Sequence, residues 1–206
     1  MERAARGERK IERRLRWSRL GAAPNLADFD FSVRPQLSAA VVRELATCRF
    51  VEERRNVVLV GRPSTGKTTI ARALGHAACL KGRSVYYATM ADMLSELHAS
   101  KADDTYRKAF RRVVQPDLLV IDDAGFTPLS AEAAAALFRV VCERYQRAST
   151  IVITNLPFKQ WGGFLASPAL AVAIADRLVD NATILRFSGK TFREPREVFG
   201  APLDGE

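Results

Sequence analysis

The sequence predicts an α/β fold in which a parallel sheet of five strands lies between two layers of helices. Three observations lead to this prediction. Short apolar runs rich in Val, Ile and Leu recur along the chain and are typical of strands buried on both faces. Helix-forming segments separate most of these runs, as the crossovers between parallel strands require. Two of the runs end in acidic or amide side chains, at the edge where open α/β sheets bind ligands.

The first part of the chain is predicted to be helical. Residues 2–20 are helix-prone, and glycine and proline in residues 21–24 interrupt the helix. Residues 26–31 form a short segment in which apolar and polar residues alternate. Residues 37–53 are predicted as one helix because their apolar residues recur on one side.

Strands and helices then alternate to the end of the predicted core. Each strand is assigned from a short apolar run bounded by polar residues, and each helix from its periodicity and capping residues. The predicted strands are 57–60, 84–88, 117–123, 149–155 and 183–187. The predicted helices are 67–80, 91–100, 101–115, 130–147 and 168–180.

Residues 61–68 have the spacing of a phosphate-binding P-loop, G-x-x-x-x-G-K-[ST], between a strand and an alanine-rich helix. Glycine permits the tight turn and a close approach of the backbone to phosphates, and the loop N–H groups point at the anion. Lys67 reaches the β- and γ-phosphates, and the Thr68 hydroxyl is placed to ligate Mg²⁺. A glycine turn before an ordinary helix is the alternative, but the flanking strand and helix favour ATP binding. The predicted nucleotide-binding residues are Gly61, Arg62, Pro63, Ser64, Thr65, Gly66, Lys67, Thr68 and Thr69.

Polar side chains at the ends of two further strands complete the predicted site. Asp122 would hold the Mg²⁺ through water, and Asp123 would orient or deprotonate the attacking water. Asn155 ends the next strand and could position the same water. Taken alone, the acids fit a solvated turn, and the asparagine fits a cap before Pro157. The P-loop favours the catalytic interpretation of all three.

Positive charge is concentrated in two segments of the chain. The net charge is +9, and the first twenty residues hold eight Lys or Arg against three Glu. Such concentration indicates a contact with nucleic acid, although a solvated helical tail would have the same composition. A second basic segment follows at residues 101–112. The predicted contacts with double-stranded DNA are Arg13, Arg14, Arg16, Lys101, Arg107, Lys108, Arg111 and Arg112.

The composition excludes several other classes. A hydrophobic content of 48% supports one sizeable core. No apolar stretch reaches the roughly 18 residues of a membrane span, so we expect no membrane association. The three cysteines are isolated and fit buried thiols in a reducing cytoplasm better than disulfides or zinc ligands. The two histidines lie apart on predicted helices, which argues against a metal role.

Several segments together resemble the IstB family, the AAA+ ATP-binding helper proteins of insertion-sequence transposases, related to the DnaC-type helicase loaders. The resemblance runs from about Ile11 to Phe192. The segments that carry it are 26–31 (LADFDF), 45–52 (LATCRFVE), the P-loop, 74–78 (LGHAA), 118–123 (LLVIDD), 144–145 (RY), 154–158 (TNLPF) and 176–178 (DRL).

The resemblance implies a three-layer P-loop NTPase of AAA+ type with sheet order 5-1-4-3-2. It also implies an ATP-dependent, DNA-binding assembly that engages target DNA and activates or recruits a cognate transposase. Asn155 would be the sensor residue. Arg177 would be the arginine finger that one subunit offers to the γ-phosphate of its neighbour, although a surface arginine paired with a nearby acid is the alternative.

The resemblance further sets the expected domain organisation. Residues 1–24 would be a basic helical remnant of the DNA-binding domain that precedes the ATPase core in this family. Residues 25–196 would form the AAA+ ATPase domain, and residues 197–206 a loose tail. Two residues depart from the family pattern: Ser64 stands where glycine is usual, and Asp123 where AAA+ proteins more often have Glu. The shorter acid would pull the carboxylate back by about 1 Å, and misplacement on that scale can cost about 10²-fold in rate. We therefore expect slow hydrolysis.

The leading interpretation is a self-associating, DNA-dependent ATPase that assists transposition. A helicase loader would use the same chemistry with a different partner. A nucleotide-switched DNA-binding scaffold with little hydrolysis is a third possibility, favoured by the short Asp123. A small-molecule P-loop kinase is disfavoured, because the sequence has paired acids and a strand-end asparagine but no distinct acceptor-binding segment.

Overall fold

The computed structural model describes residues 2–22, 24, 26, 29–32, 36–165 and 167–188. Within them lies one sheet of five parallel strands in the order β2-β3-β4-β1-β5. Read from the other edge, this is the predicted order 5-1-4-3-2, which is confirmed. The strands are β1 (Asn56–Gly61), β2 (Val85–Thr89), β3 (Leu118–Ala124), β4 (Ser149–Thr154) and β5 (Ala182–Phe187). The predicted tail at 197–206 and the predicted domain end at 196 lie outside the described residues.

Helices cover both faces of the sheet, as predicted. They are α1 (Glu2–Ser18), α2 (Ala39–Ala46), α3 (Arg49–Glu52), α4 (Lys67–Leu80), α5 (Met90–Ala99), α6 (Tyr106–Val114), α7 (Ala131–Arg144), α8 (Trp161–Phe164) and α9 (Pro168–Val179). Side chains of α2, α3 and α4 pack on one face of the sheet, and side chains of α5 to α9 pack on the other. Alternate residues of each strand serve the two faces, so Tyr87 lies in the first core and Tyr86 in the second.

Two predicted helices differ from the structure. The helix predicted over 37–53 is broken at Cys48, which has left-handed backbone (φ 61°) and lets α3 turn so that Phe50 is fully buried. The helix predicted over 101–115 begins only at Tyr106. Asp103 accepts hydrogen bonds from the backbone N–H and hydroxyl of Thr105, and this local turn competes with helix formation.

Leu20, the second residue beyond α1, joins that helix to the main core. Leu20 is fully buried and packs against Gly75 of α4, where a Cβ would lie only 2.9 Å from the Leu20 Cδ2 atom. Leu15 of α1 packs against the same core, and Ser18 is buried. The division into residues 1–24 and 25–196 stays a prediction, but the two segments share one hydrophobic core.

The cysteines are free thiols, with Cys48 and Cys79 buried and Cys142 half-buried. Burial raises the pKa of Cys79 to about 11, which makes this thiol unreactive at neutral pH. No helix among the described residues combines the length and apolar character needed to cross a membrane.

Arg144, the last residue of α7, is a buried cation that links three elements. Its guanidinium donates hydrogen bonds to the carbonyls of Val114, the last residue of α6, and of Pro116 beyond it. It also donates to Ser149 and Thr150 at the start of β4. Burial lowers its pKa to about 9, so the group is still charged at neutral pH. Arg144 thus holds the end of α6 against β4.

We expect Arg144→Met to destabilise the protein by about 3–5 kcal/mol, because it leaves several buried carbonyl oxygens without a donor. The measurement is the free energy of unfolding in urea. Arg147→Met is the control, since Arg147 is exposed and pairs with the exposed Glu143, and this change should cost less than about 0.5 kcal/mol. A loss below about 1 kcal/mol for Arg144→Met would show that these hydrogen bonds do not stabilise the fold.

Candidate nucleotide-binding site

The P-loop and the carboxyl ends of β3 and β4 surround one cavity of about 760 Å³. Residues 63–69 of the predicted loop line it, together with Asp122, Asp123 and Asn155. Gly61 and Arg62 do not line this cavity and face a neighbouring groove beside β5. Three separate stretches of sequence, each predicted to act on a nucleotide, therefore meet at one place.

Lys67 is held inside the loop. Its Nζ donates hydrogen bonds to the carbonyl oxygens of Gly61 at 2.7 Å and Arg62 at 2.6 Å, and the residue is only 5% exposed. Burial lowers the pKa of Lys67, whereas the charges of Asp122 and Asp123 act in the opposite direction. The loop backbone thus holds the ammonium in place.

The loop contains residues whose backbone conformation suits glycine. Gly66 has φ 93° and precedes the first turn of α4. Ser64 has φ 58°, in the left-handed region that non-glycine residues adopt at a cost, which explains physically why glycine is usual there. Gly61 was expected to allow a close approach to phosphates, but the contact that requires glycine at this position is with β5. A Cβ at this position would lie 2.1 Å from the carbonyl oxygen of Phe187 in β5.

Asp122 is buried and held from three sides. One oxygen, Oδ1, accepts a hydrogen bond from the Asp123 N–H at 2.8 Å and lies 3.4 Å from the Thr68 hydroxyl. The other oxygen, Oδ2, accepts a hydrogen bond from the Tyr87 hydroxyl at 2.6 Å. The predicted metal residues Thr68 and Asp122 are therefore adjacent.

This donor set fits Mg²⁺ bound together with a nucleotide. A hydroxyl and a carboxylate are hard oxygen ligands, and Mg²⁺ usually takes one or two such protein ligands and completes its shell with phosphate and water oxygens. The described residues contain no group of three or more His, Cys, Asp or Glu side chains that could hold a metal ion. Mg²⁺ at Thr68 and Asp122 would thus depend on the phosphates.

Asp123 reaches the cavity because β3 is irregular at this point. The pairing of β3 with β4 shifts register between Ile121 and Ala124, and Asp123 within this bulge has left-handed backbone (φ 55°). Such bulges re-aim side chains next to active sites. Partial burial and the charge of Asp122 raise the pKa of Asp123, while Lys67 lowers it. Asn155, directly after β4, lines the same cavity.

Arg177 lies away from this cavity. Its backbone carbonyl accepts a hydrogen bond from Asn56, the first residue of β1, whereas the P-loop follows the last residue of that strand. In the described part of the chain its guanidinium contacts the rings of Phe138 and Tyr145, rather than the carboxylate that the alternative interpretation required. The position excludes action on the nucleotide of its own subunit.

Sequence reasoning missed several residues of the cavity. Phe29 and Asp30 line it. They belong to the segment 26–31, which contributed to the family resemblance but was not assigned to the nucleotide site. Phe126, 74% exposed, also lines it. Tyr87 and Arg72 complete its inner wall. The predicted sheet order gave the one available indication, since it places β2 beside β3 and so brings Tyr87 near Asp122.

The two basic segments meet at the β2 edge of the sheet. Arg19, just after α1, and Arg112 of α6 both pair with Glu96 and lie over the ring of Tyr86. Two of the predicted DNA contacts are therefore engaged within the protein, since Lys101 also pairs with Glu132. Arg14 is half-buried. The other five members of the predicted set, Arg13, Arg16, Arg107, Lys108 and Arg111, are exposed.

Comparison with proteins of known sequence agrees with this geometry. The family model described as IstB-like ATP binding protein matches residues 1–198. The chain is 35% identical over 188 residues to the ATP-binding protein assigned to insertion sequence IS21 in Pseudomonas aeruginosa, covering 91% of this chain and 71% of that protein. A similar insertion-sequence protein of Mycobacterium tuberculosis is 31% identical, with 94% and 77% covered.

Comparison with solved structures identifies the fold. DnaI superposes with a TM-score of 0.67 at 20% identity, covering 82% of this chain and 92% of that chain. The DnaC helicase loader superposes with a TM-score of 0.57 at 20% identity, covering 84% and 99%. At this identity the likeness shows a shared AAA+ P-loop fold and no more. The family match over residues 1–198 and the insertion-sequence relatives show that the chain belongs to the IstB-like family of ATP-binding proteins.

Proposed function

We propose that the protein is an ATP-dependent, DNA-binding AAA+ ATPase that assists a cognate transposase in engaging target DNA. The observation that carries this proposal is the convergence of Lys67, Asp122 and Asn155 on one cavity, in a chain whose relatives are insertion-sequence proteins. The insertion-sequence relatives favour transposition over helicase loading, because the likeness to the DnaC loader concerns the fold alone.

Each residue of the cavity has a distinct part in the proposed chemistry. The loop N–H groups and Lys67 bind the β- and γ-phosphates, and Thr68 and Asp122 hold Mg²⁺. Bound Mg²⁺ supplies charge neutralisation on the transferred phosphoryl group. Asp123 accepts the proton of the attacking water, and Asn155 orients that water. This part of the site is complete in one subunit.

The position of Arg177 supports self-association. An arginine finger stabilises the charge that develops on the transferred phosphoryl group, and it can be supplied by a neighbouring molecule. Since Arg177 cannot reach its own cavity, it would act only in the cavity of an adjacent subunit. We therefore propose an oligomer in which each active site is shared between two copies of the chain.

The DNA-binding part of the proposal is supported by the joined basic segments. Exposed cations of α1 and α6 lie at the same edge of the sheet, and the pairs that Glu96 forms hold the two segments together. Such cations would neutralise backbone phosphates. The pattern contains no motif for reading bases, so binding should tolerate different sequences and fall steeply with salt.

The experiment that tests the proposal measures ATP hydrolysis with and without duplex DNA, together with DNA affinity across salt concentrations. We expect DNA to stimulate hydrolysis and log affinity to fall with log salt, with a slope of about −0.9 per phosphate contact. Replacing Arg107, Lys108 and Arg111 with Ala should weaken binding and make this slope shallower. DNA binding without turnover would identify the nucleotide-switched scaffold instead.

A matched control distinguishes DNA binding by the proposed surface from a general effect of the net charge. Arg43, Arg49 and Lys159 are exposed cations outside α1 and α6. Replacing these three with Ala removes the same net charge and should leave DNA affinity nearly unchanged. An equal loss in both triple variants, or a flat salt dependence of the unaltered protein, would contradict the proposed DNA surface.

A further inference from the structure

We propose that Tyr87 is a positioning residue that sets the affinity of the site for Mg²⁺, by fixing one oxygen of Asp122 so that the other faces Thr68. The inference rests on the proposed binding of Mg²⁺ with ATP. It concerns a residue of β2, a strand to which the sequence assigned no part of the site.

The hydrogen bonds of Asp122 define how its carboxylate is oriented. The Tyr87 hydroxyl holds Oδ2 at 2.6 Å, and the Asp123 N–H holds Oδ1 at 2.8 Å. Rotation of the carboxylate would break both bonds. Oδ1 is thereby kept on the side of the Thr68 hydroxyl, 3.4 Å away, where a metal ion or its water would be bound. Partners of this kind, one shell beyond a metal ligand, orient that ligand and tune the affinity of the site.

Arg72 supports the ring of Tyr87 from the cavity side. It lies one helical turn after Thr68 in α4, so both side chains project from the same face of the helix. The Arg72 guanidinium is 4.8 Å from the centroid of the Tyr87 ring, a distance suited to a cation–π contact. Its buried Nε has no hydrogen-bond partner in the described part of the chain. Arg72 therefore restrains Tyr87, which in turn restrains Asp122.

The preceding residue gives a natural comparison. Tyr86 is also buried in β2, but its side chain lies on the opposite face of the sheet. Its hydroxyl donates to Glu96, which pairs with Arg19 and Arg112 rather than facing the cavity. Replacing either tyrosine with Phe removes one hydroxyl from one buried ring of the same strand. Only the change at Tyr87 touches the proposed metal site.

The experiment compares Tyr87→Phe with Tyr86→Phe in the full-length protein. Affinity for a non-hydrolysable ATP analogue is measured by calorimetry in EDTA and across a series of Mg²⁺ concentrations. For Tyr87→Phe we expect unchanged affinity in EDTA and about a 10-fold rise in the Mg²⁺ concentration that gives half of the Mg²⁺-dependent gain. This is the lower end of the roughly 10–100-fold effects seen for partners of metal ligands. Tyr86→Phe should match the unaltered protein.

A second variant extends the test to Arg72. Arg72→Met keeps most of the side-chain stem and removes the guanidinium, so it should shift the Mg²⁺ dependence in the same direction by a smaller factor. Thermal unfolding checks that each variant is folded.

Two results would overturn the inference while leaving nucleotide binding in place. One is a Mg²⁺ dependence of Tyr87→Phe equal to that of the unaltered protein. The other is an equal loss of affinity in EDTA and in Mg²⁺, which would show that Tyr87 only supports the shape of the cavity. Absence of nucleotide binding in the unaltered protein would instead overturn the proposed function, and the inference with it.

Discussion

Lys67→Ala should abolish measurable ATP binding while the fold persists. Two carbonyl oxygens hold the Lys67 ammonium inside the P-loop, and bound ATP would replace them with oxygens of the β- and γ-phosphates. Hydrogen bonds to charged groups contribute about 1.5–3 kcal/mol each, so losing two such bonds to the phosphates would lower affinity by roughly 10²-fold or more. Calorimetric titration with ATP measures this loss, and circular dichroism checks the fold.

Lys81→Ala is the matched control for this change. Lys81 directly follows α4, the helix that Lys67 begins, and its Nζ donates to the carbonyl of Thr47, far from the cavity. The control should bind ATP as the unaltered protein does. Equal ATP affinity in Lys67→Ala and in the unaltered protein would show that the nucleotide site has been assigned to the wrong residues.

The second large effect concerns sites shared between subunits. Specific ATPase activity should rise with protein concentration and with DNA that promotes assembly, because Arg177 would act on the nucleotide of a neighbour. An arginine finger is worth about 10³–10⁵ in rate, so Arg177→Ala should remove this stimulation and leave ATP binding nearly unchanged. Asp123→Asn should also prevent hydrolysis, since an amide cannot accept the proton of the attacking water.

Mixing the two inactive variants gives the sharpest test of a shared site. An interface that combines a P-loop from Arg177→Ala with an arginine from Asp123→Asn has all the proposed groups, so mixed oligomers should regain activity. Arg139→Ala serves as a control, because Arg139 is another arginine over two aromatic rings and should not affect hydrolysis. If the variants co-assemble and mixing restores nothing, Arg177 does not act between subunits.

Asp123→Glu tests the short acid separately. The side chain stands on a bulge of β3 with left-handed backbone, and its carboxylate is one methylene shorter than the Glu that AAA+ proteins more often have at this position. We expect the longer acid to raise turnover, because it would bring the carboxylate nearer the attacking water. The rate at saturating ATP measures this, and a rate no higher than that of the unaltered protein would show that the bulge already places the shorter acid correctly.

The fold was predictable to the extent that it depends on local pattern. Apolar runs located all five strands to within one residue at every end, and capping residues located the start of α7. The order of the strands did not follow from these patterns, because it depends on contacts between distant segments, and it came from the family resemblance. The break at Cys48 was missed because the apolar residues keep their helical spacing through this position, whereas the backbone of Cys48 is not helical.

The candidate site divides in the same way. Lys67, Thr68 and Asp122 were assigned from short motifs whose chemistry is contained in consecutive residues. Tyr87 and Arg72 belong to no motif, and they matter only because β2 packs beside β3. The sequence also gave no sign of the salt bridges that Lys101 and Arg112 form with glutamates, because in a sequence both residues count simply as positive charge.

The contact between Leu20, which follows α1, and Gly75 couples the movement of α1 to that of α4. A side chain on Gly75 would collide with Leu20, so the two segments interlock, and separating them would expose apolar surface. A pull exerted on α1 by bent or moving DNA would therefore be transmitted to α4 at Gly75, just past the middle of the helix whose first turn carries Lys67 and Thr68. For the same reason, deleting the chain through Leu20 would strip the core as well as the charge, so point substitutions are the cleaner way to separate DNA binding from folding.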